Sequence, residues 1–417
     1  RDITTEATEK EGIEMAVADS KIKDITTPDR EKENLEESLR SQFGNDVNFT
    51  VTENGDESFL INMNDSQRSY YVESTGEIIA QSEMIEIGTA EELKEFRDEV
   101  NSGNTFEGKY IKLTNNITLD INEEWEPIGM YPMENSSPND ETNKPFKGTF
   151  DGGEYEINGI YINTTDKVQG LFGLVIGGKI LNLTIGENCS ITGGLSTGGV
   201  AGYLYNSSII NSHNNSNITS NKGKVGGIAG QAFESQILNC SNTATINGDV
   251  YHVGGIVGEL YNNSKVSTSF NIGEINGTGD ATGGIIGQIR DNSTLEKCYN
   301  YGNITGNEWT GGVIGLCLND AYIEECYNVG SISGSGNNVG GIIGKIDTST
   351  LIDSYNVGTI LSGLDYIGGI TGHIDYGVIQ NCYNIGLINT TNASYIGGVV
   401  GRVANTSQFT NCFYLQG

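Results

Sequence analysis

The stretch at residues 326–344, CYNVGSISGSGNNVGGIIG, contains the whole signature of a repeat that fills most of the chain. Its Gly-Gly pair, followed by an aliphatic residue, recurs at intervals of 28 or 29 residues. The first glycines of these pairs are Gly198, Gly226, Gly254, Gly283, Gly311, Gly340, Gly368 and Gly397, and GLFG at Gly170 stands one interval earlier. A fixed period of this length is typical of stacked structural repeats.

Three aliphatic columns run through the repeat; in the unit that begins at Gly311 they are Cys317, Ile323 and Ile332. Short β-branched runs separated by Gly, Asn and Ser indicate short strands, whereas a helical repeat would need long segments of period 3.6. We therefore predict a mainly β protein, a parallel β-helix of about 28-residue coils with the three columns as its core. The repeat accounts for about nine regular coils.

An asparagine column accompanies the repeat two residues before a frequent glycine. Its members are Asn214, Asn242, Asn271, Asn300, Asn328, Asn356 and Asn384. Stacked amides at coil spacing can bond one another, so we predict a structural ladder. The glycines after them, such as Gly302 and Gly330, are predicted to be corners with positive φ.

An aromatic column directly precedes the asparagines. It comprises Phe270, Tyr299, Tyr327, Tyr355, Tyr383 and, one coil later, Phe413. Tyr299, Tyr327, Tyr355 and Tyr383 form either a packing ladder or an exposed stripe on which sugar rings stack. Turns interrupt the alternation around this column, so its direction stays open.

No residue pattern in the chain is typical of catalysis, metal binding or cofactor binding. The seven cysteines lack CxxC spacing, and Cys240, Cys298, Cys326, Cys382 and Cys412 share one column with serines, which favours buried free thiols. Arg290 with Asp291, and His373 with Asp375, are isolated pairs in variable stretches. The histidines, including His252, are predicted to be surface or turn residues. We therefore expect no catalytic, metal or cofactor residues and no enzymatic activity.

The charge balance limits the partners. Lys and Arg number 23 against 54 Asp and Glu, a net charge of −31, so nucleic acid, anionic lipid and acidic polysaccharide are repelled at long range. Neutral glycans, proteins or cations are the expected partners. No apolar run is long enough to cross a membrane, so we expect membrane attachment only through an N-terminal segment upstream of Arg1.

Composition and periodicity divide the chain into three segments. Residues 1–85 lack the repeat and predict a small α+β module, with helices at 5–19 and 29–43 and a hairpin turn at Asn54-Gly55. Residues 86–104 contain TAEELKEFRDEVN, an amphipathic helix at 89–101 that can cap the open first coil. Residues 105–417 form the β-helix, beginning with irregular coils.

The repeat resembles the GLUG-motif repeats of bacterial surface proteins. The matching pattern is GG[IV]xG followed by [ILV]xxCYNxGxIxG, as in residues 311–334, preceded by WEPIG and FKGTFDGGEYEINGIYI. The first module resembles the region after the membrane helix in type IV pilins and pseudopilins, through EATEKEGIEMAVADSKI and YYVESTGEI. These resemblances imply an extracellular, cell-surface or pilus-associated adhesin that binds host or neighbouring-cell glycan or protein, or other pilin subunits.

One site in each coil varies while the columns stay fixed. The variable stretches are QAFESQ, ELYNNSK, QIRDNST, CLNDAY, KIDTST and HIDYGV, which begin at residues 231, 259, 288, 317, 345 and 373. In a solenoid such stretches lie side by side along one face, where repeat proteins commonly bind. The alternative is a polysaccharide-cleaving β-helix enzyme, which would need clustered carboxylates held at fixed spacing.

Overall fold

The computed structural model describes residues 28–43, 48–53, 59–64, 68–72, 78–80, 84–131, 140–164, 168–362, 364–390 and 393–415. The chain forms two compact units. One comprises residues 1–86 and 109–112, and the other comprises residues 87–108 and 113–417. The helix expected at 5–19 and the turn at Asn54-Gly55 lie outside the described residues.

The first unit is a small α+β structure. Helix α1 (Pro28–Phe43) accompanies an antiparallel sheet of β1 (Phe49–Glu53), β2 (Phe59–Met63), β3 (Arg68–Val72) and β4 (Ile78–Ala80), in that order. Leu35 and Leu39 of α1 are fully buried in one core with Ile61 and Tyr70 of the sheet. The strands alternate because one face packs on the helix.

The second unit is a parallel β-helix of about 11 coils of about 28 residues, so the predicted fold class is confirmed. Each regular coil contributes one strand to each of five parallel sheets, which we number 1 to 5 in chain order. The core columns predicted from the repeat are inward and buried, as at Cys317, Ile323 and Ile332. The sequence indicated three aliphatic columns in each coil but not the number of strands, which is five.

The first three sheets consist of short strands. Sheet 1 contains Tyr161–Asn163, Ser190–Gly193, Ile218–Ser220, Ile246–Gly248, Ile275–Gly277, Ile304–Gly306, Ile332–Gly334, Ile360–Ser362 and Ile388–Thr390. Sheet 2 contains Val168–Gln169, Ser196–Gly198, Lys224–Gly226, Val253–Gly254, Thr282–Gly283, Thr310–Gly311, Val339–Gly340, Ile367–Gly368 and Ile396–Gly397. Sheet 3 contains Phe172–Ile176, Ala201–Tyr205, Ala229–Phe233, Val257–Tyr261, Ile286–Ile289, Ile314–Cys317, Ile343–Asp347, Thr371–Asp375 and Val400–Ala404.

The last two sheets complete the coil. Sheet 4 includes Thr149–Asp151, Lys179–Leu181, Ser208–Ile210, Gln236–Leu238, Lys265–Ser267, Thr294–Glu296, Tyr322–Glu324, Thr350–Ile352, Val378–Gln380 and Gln408–Thr410. Sheet 5 contains Ile117–Thr118, Glu156–Asn158, Thr184–Ile185, His213–Asn214, Ser241–Asn242, Phe270–Asn271, Tyr299–Asn300, Tyr327–Asn328, Tyr355–Asn356, Tyr383–Asn384 and Phe413–Tyr414. Two further strands, Met84–Ile87 and Tyr110–Leu113, contain the residues where the chain passes between the two units.

The Gly-Gly pair and the asparagine column occupy the same narrow part of the coil. A Cβ on Gly312 would stand 2.1 Å from the carbonyl oxygen of Gly341 in the next coil and 2.5 Å from Cγ of Asn328. Backbone and amide therefore fill the space that a side chain would need, which explains why the two motifs recur together.

The coil corners differ from the prediction. Asn211, Asn239, Asn381 and other non-glycine residues have positive φ at the turn that leads into sheet 5. Gly302 and the equivalent glycines do not have positive φ, so their predicted corner role is wrong. Glycine is needed at these positions because the backbone of the neighbouring coil lies too close for a side chain: a Cβ on Gly302 would stand 1.8 Å from the carbonyl oxygen of Gly273.

Helix α2 (Ala90–Ser102) is the amphipathic helix predicted at 89–101. Thr89 accepts a hydrogen bond from the Glu92 amide, and Glu92 completes a capping box, so the helix begins where the sequence indicated. Phe96 packs on the rings of Phe106, Phe146 and Phe150, with centroids 4.9–5.9 Å apart. The helix thus covers apolar side chains of the first, irregular coils.

Candidate functional site

A column of outward residues on sheet 3 lines a groove on the β-helix. The column comprises Leu174, Tyr203, Gln231, Glu259, Gln288, Leu316, Lys345, His373 and Arg402, each paired in register with the next. Although they point away from the core, Tyr203, Glu259 and Gln288 are no more than 7% exposed. Side chains from both sides therefore lean over the column, and we call this surface the groove.

The two walls of the groove carry aromatic and basic side chains. On the sheet 3 side, Phe233 stacks on Tyr205 at 4.9 Å and meets Tyr261 edge-on at 5.1 Å. On the sheet 2 side, the centroids of the Tyr366 and His373 rings are 6.0 Å apart. The Arg402 guanidinium lies 4.8 Å above the centroid of the Tyr366 ring. Tyr366 has a φ of 65°, an unusual conformation for a bulky residue, which indicates that its position is imposed by the surroundings.

An ionic cluster occupies the middle of the groove. Glu259 lies 3.4 Å from Nζ of Lys224 and 3.1 Å from Nε of Arg290, and it accepts a hydrogen bond of 2.9 Å from Gln231. Burial opposes ionisation of Glu259, but the charges of Lys224 and Arg290 outweigh it and lower the pKa of this carboxyl. Glu259 is therefore an ionised carboxylate, with both oxygens held by donors.

Neighbouring groups complete this cluster. The Arg290 guanidinium contacts Asp291 and lies 4.2 Å above the ring of Tyr261. Burial lowers the pKa of His252 to about 4, so its imidazole is neutral at neutral pH. The sequence interpretation of Arg290 and Asp291 is corrected, because Arg290 joins them to Glu259 rather than leaving them isolated. His252 is half-buried beside the cluster, directly before the sheet 2 strand Val253–Gly254.

A cleft of about 310 Å³ lies near the N-terminal end of the groove. Its lining includes Trp125, Pro127, Tyr131, Val168 and Gln169. Tyr131 contacts Tyr203 edge-on at 5.9 Å, and the hydroxyl of Tyr203 lies 3.0 Å from that of Tyr261. Aromatic contacts thus connect the cleft with the ionic cluster.

The groove coincides with the variable stretches of the sequence. Five of the stretches begin on the sheet 3 column, at Gln231, Glu259, Gln288, Lys345 and His373, and the sixth begins at Cys317, directly after Leu316 of the column. Sequence reasoning identified these stretches but missed the residues that contact the column from the sheet 2 side, such as Lys224 and Tyr366. These residues could have been found from the sequence, because each directly precedes the buried residue of a sheet 2 strand, as Lys224 precedes Val225.

A second outward surface, on sheets 5 and 1, has the opposite character. Its outward residues, all within the described part of the chain, are His213, Asn215, Asn217, Thr219, Ser241, Thr243, Thr245, Asn247, Phe270, Ile272, Glu274, Asn276, Tyr299, Tyr301, Asn303, Thr305, Tyr327, Val329, Ser331, Ser333, Tyr355, Val357, Thr359, Leu361, Tyr383, Ile385, Leu387 and Asn389. Glu274 is the one acidic residue among them, and there is no lysine or arginine. Burial lowers the pKa of His213, which leaves it neutral. We call this surface the neutral face.

The aromatic column runs along the neutral face as a continuous stack. Successive rings from Phe270 to Tyr383 are nearly parallel, within 8°, with centroids 4.9–5.4 Å apart. The ring faces of Tyr299, Tyr327 and Tyr355 are therefore covered by their neighbours. These tyrosines present edges and hydroxyls rather than the open faces that sugar stacking needs.

The asparagine column lies directly beneath this face and is fully buried. From Asn214 to Asn384, each Nδ2 donates to Oδ1 of the next asparagine at 2.7–2.8 Å. The same Nδ2 donates to the carbonyl oxygen two residues ahead, as from Asn328 to Gly330 at 2.8 Å. From Asn214 to Asn356 both hydrogens of each amide are used, so these side chains hold coils together and offer nothing to a ligand.

The cysteines are free thiols, and the predicted burial holds for the column except at Cys412, which is half-buried in the last coil. Cys240, Cys298, Cys326 and Cys382 are buried, and burial raises the pKa of Cys240, Cys326 and Cys382 to about 12. Serines replace cysteine in this column because the position bonds the backbone: the Cys326 amide donates to the Ser354 hydroxyl at 3.1 Å. Among the described residues, no group of His, Cys, Asp and Glu is arranged to hold a metal ion.

No helix within the described ranges is both long and apolar enough to span a membrane.

Comparison with known proteins gives two positive findings. The sequence profile of the GLUG motif matches residues 223–247, which confirms that part of the resemblance. No curated protein matches the chain. The family match lies inside the repeats and gives the pilin resemblance of residues 1–85 no support.

One solved structure that matches is described as a "putative immunoglobulin A1 protease" from Bacteroides ovatus. The match has 17% sequence identity and a TM-score of 0.43, and it covers 80% of this chain and 84% of the other. Because this similar chain bears the name of an enzyme, the prediction that the protein is not an enzyme is corrected and withdrawn. At this identity and TM-score the likeness assigns no activity. The structure shows a parallel β-helix, and the family match shows that residues 223–247 of it contain the GLUG motif.

Proposed function

We propose that the protein is a bacterial cell-surface or pilus-associated adhesin or display protein whose groove binds a glycan or a protein of another cell. The observation that carries this proposal is that the six variable stretches begin on, or directly after, one aromatic-lined column of sheet 3. A fixed scaffold with variable residues in register along one surface is the arrangement by which repeat proteins present a binding face.

The chemistry of the groove supports recognition of a ligand with both apolar and polar groups. Its lining changes from the Trp125 cleft through the Glu259 cluster to Lys345 and His373. Buried polar groups that are already paired cost little to cover, and aromatic rings beside them supply contact area. Such a surface selects by shape and local charge rather than by net charge.

Binding is tested with the purified chain on a panel of immobilised glycans, mucins and matrix proteins. The double variant Lys345→Ala/His373→Ala alters the groove, and Thr294→Ala/Thr350→Ala on sheet 4 is its matched control. We expect at least one panel member to bind, with binding reduced about tenfold by the groove variant alone. Equal reduction by the control, or no binding to any member, would contradict the proposal.

Location is tested separately on the source bacterium. Immunogold labelling with antibody against the β-helix should decorate intact cells or their pili, with other pilin subunits recovered after cross-linking if the pilin resemblance of residues 1–85 is correct. Label confined to the cell interior would contradict surface display. The panel polysaccharides are also assayed for new reducing or unsaturated ends, which would reveal the polysaccharide-cleaving alternative.

A further inference from the structure

The neutral face is unusual for a chain with 54 acidic residues. Its outward positions over seven coils include a single carboxylate, Glu274. The neighbouring sheet 4 surface, by contrast, carries Lys265, Glu296 and Glu324 at outward positions. Because charge is spread over the other surfaces, its scarcity on one face identifies a surface suited to contact with an uncharged partner.

The face is also apolar along its C-terminal half. Val329 and Val357 are 39% exposed, Tyr301 46%, Ile385 50% and Leu387 59%. All of these side chains except Leu387 form a row beside the tyrosine stack, two residues after the stacked tyrosine of each coil, and Leu387 lies two residues beyond Ile385. The N-terminal half carries amides and hydroxyls instead, and Asn215, Asn217, Thr243 and Thr245 line a recess of about 510 Å³ that Glu156 and Glu187 also border.

The spacing of these groups repeats with the coil. Parallel register places Tyr327 on Tyr355, so equivalent positions recur at about 4.8 Å along the helix axis, with an aromatic ring in every coil from Phe270 to Tyr383. A partner that contacts every coil in the same way must itself repeat. Linear polysaccharides do so, and they offer hydroxyls together with apolar C–H patches, whereas a folded protein does not repeat along a line.

We propose that the neutral face binds a linear, uncharged polysaccharide lying along the helix axis. The exposed aliphatic row and the edges of the tyrosine stack contact its apolar patches, and Asn, Ser and Thr side chains exchange hydrogen bonds with its hydroxyls. Net charge of −31 favours an uncharged polymer over an acidic one. This site lies on different sheets from the groove and does not depend on the function proposed for it.

The test is affinity electrophoresis of the full chain in gels containing mixed-linkage β-glucan, xyloglucan or galactomannan, with polygalacturonate and chondroitin sulfate as acidic polymers. We expect at least one neutral polymer to retard the protein and both acidic polymers to leave its mobility unchanged. Oligosaccharides of the retarding polymer should compete more strongly with length, up to about 30 Å, the distance spanned by seven coils at strand spacing.

The site is mapped with added charge. Thr305→Glu/Ser333→Glu places carboxylates on the neutral face, and Gln236→Glu/Thr350→Glu places the same charges on sheet 4. We expect the first variant to weaken binding at least tenfold and the second to bind like the parent, with unchanged thermal unfolding in both. Equal binding by all three proteins, preference for an acidic polymer, or self-association or vesicle binding without polysaccharide retardation would overturn the proposal.

Discussion

The groove and the neutral face are built by the same coils but hold their outward side chains in different ways. In the groove, Glu259 is buried, ionised and linked to Lys224 and Arg290. On the neutral face, Val329 and Ile385 are exposed and belong to no ionic network. One repeat can therefore carry a surface with a buried ionic network and, on other sheets of the same coils, a surface of almost entirely uncharged side chains. The groove is therefore sensitive to charge, and the neutral face tolerates substitution.

Both surfaces depend on the core that keeps coils in register, and the largest effect is expected there. Ile332→Asp places a carboxylate among buried aliphatic side chains and should lower the free energy of unfolding by about 3–5 kcal/mol. Ser333→Asp, the next residue and outward on the neutral face, should change it by no more than about 0.5 kcal/mol. Urea denaturation followed by circular dichroism measures both. Similar losses for the two variants would contradict the inward and outward assignment.

The asparagine ladder beneath the neutral face comes next. Asn328→Ala removes hydrogen bonds to Asn300, Asn356 and the Gly330 carbonyl and should cost about 2 kcal/mol, because buried polar partners lose bonds without gaining water. Asn389→Ala removes the same amide from an exposed position and should be nearly neutral. The same denaturation experiment compares them, and equal midpoints would show that the ladder contributes little.

The period of the repeat allowed the β-helix and the asparagine column to be predicted, because inward residues are limited by the same packing in every coil. Strands of two residues, such as Tyr327–Asn328, are too short to show alternation, so five strands per coil were not predicted. The Glu259 cluster was also missed. Lys224 and Arg290 are 35 residues before and 31 residues after Glu259, and only stacking brings them together.

A smaller effect on stability is expected when one carboxylate is added to the groove and, for comparison, to the neutral face. Gln288 is paired with Glu259 on sheet 3 and is 7% exposed, so Gln288→Glu sets a second carboxylate beside the first. We expect a loss of about 1–2 kcal/mol at pH 7 from repulsion and burial, partly relieved by Arg290. Ser333→Glu adds the same charge to the neutral face and should cost less than about 0.5 kcal/mol. Equal costs would remove the distinction between the two surfaces.

The smallest effect concerns the pH response of the groove. The pKa of His252 is lowered by burial to about 4, whereas an unfolded histidine titrates near 6.5. Between these values the unfolded chain binds more protons at this position, so stability rises with pH and is lost as pH falls from about 6.5 towards 4. When the pH is lowered from 7 to 4.5, the free energy of unfolding should therefore fall by about 1–2 kcal/mol less in His252→Gln than in the parent.

The range stops at pH 4.5 because the lowered pKa of Glu259 keeps that carboxylate ionised above it. His213 and His373 also have lowered pKa values, so the variant removes one part of the total slope and leaves the rest. NMR titration of the histidine rings provides the direct check. A His252 ring that titrates near pH 6.5 would mean that the imidazole is solvated, which would contradict its placement beside the Glu259 cluster.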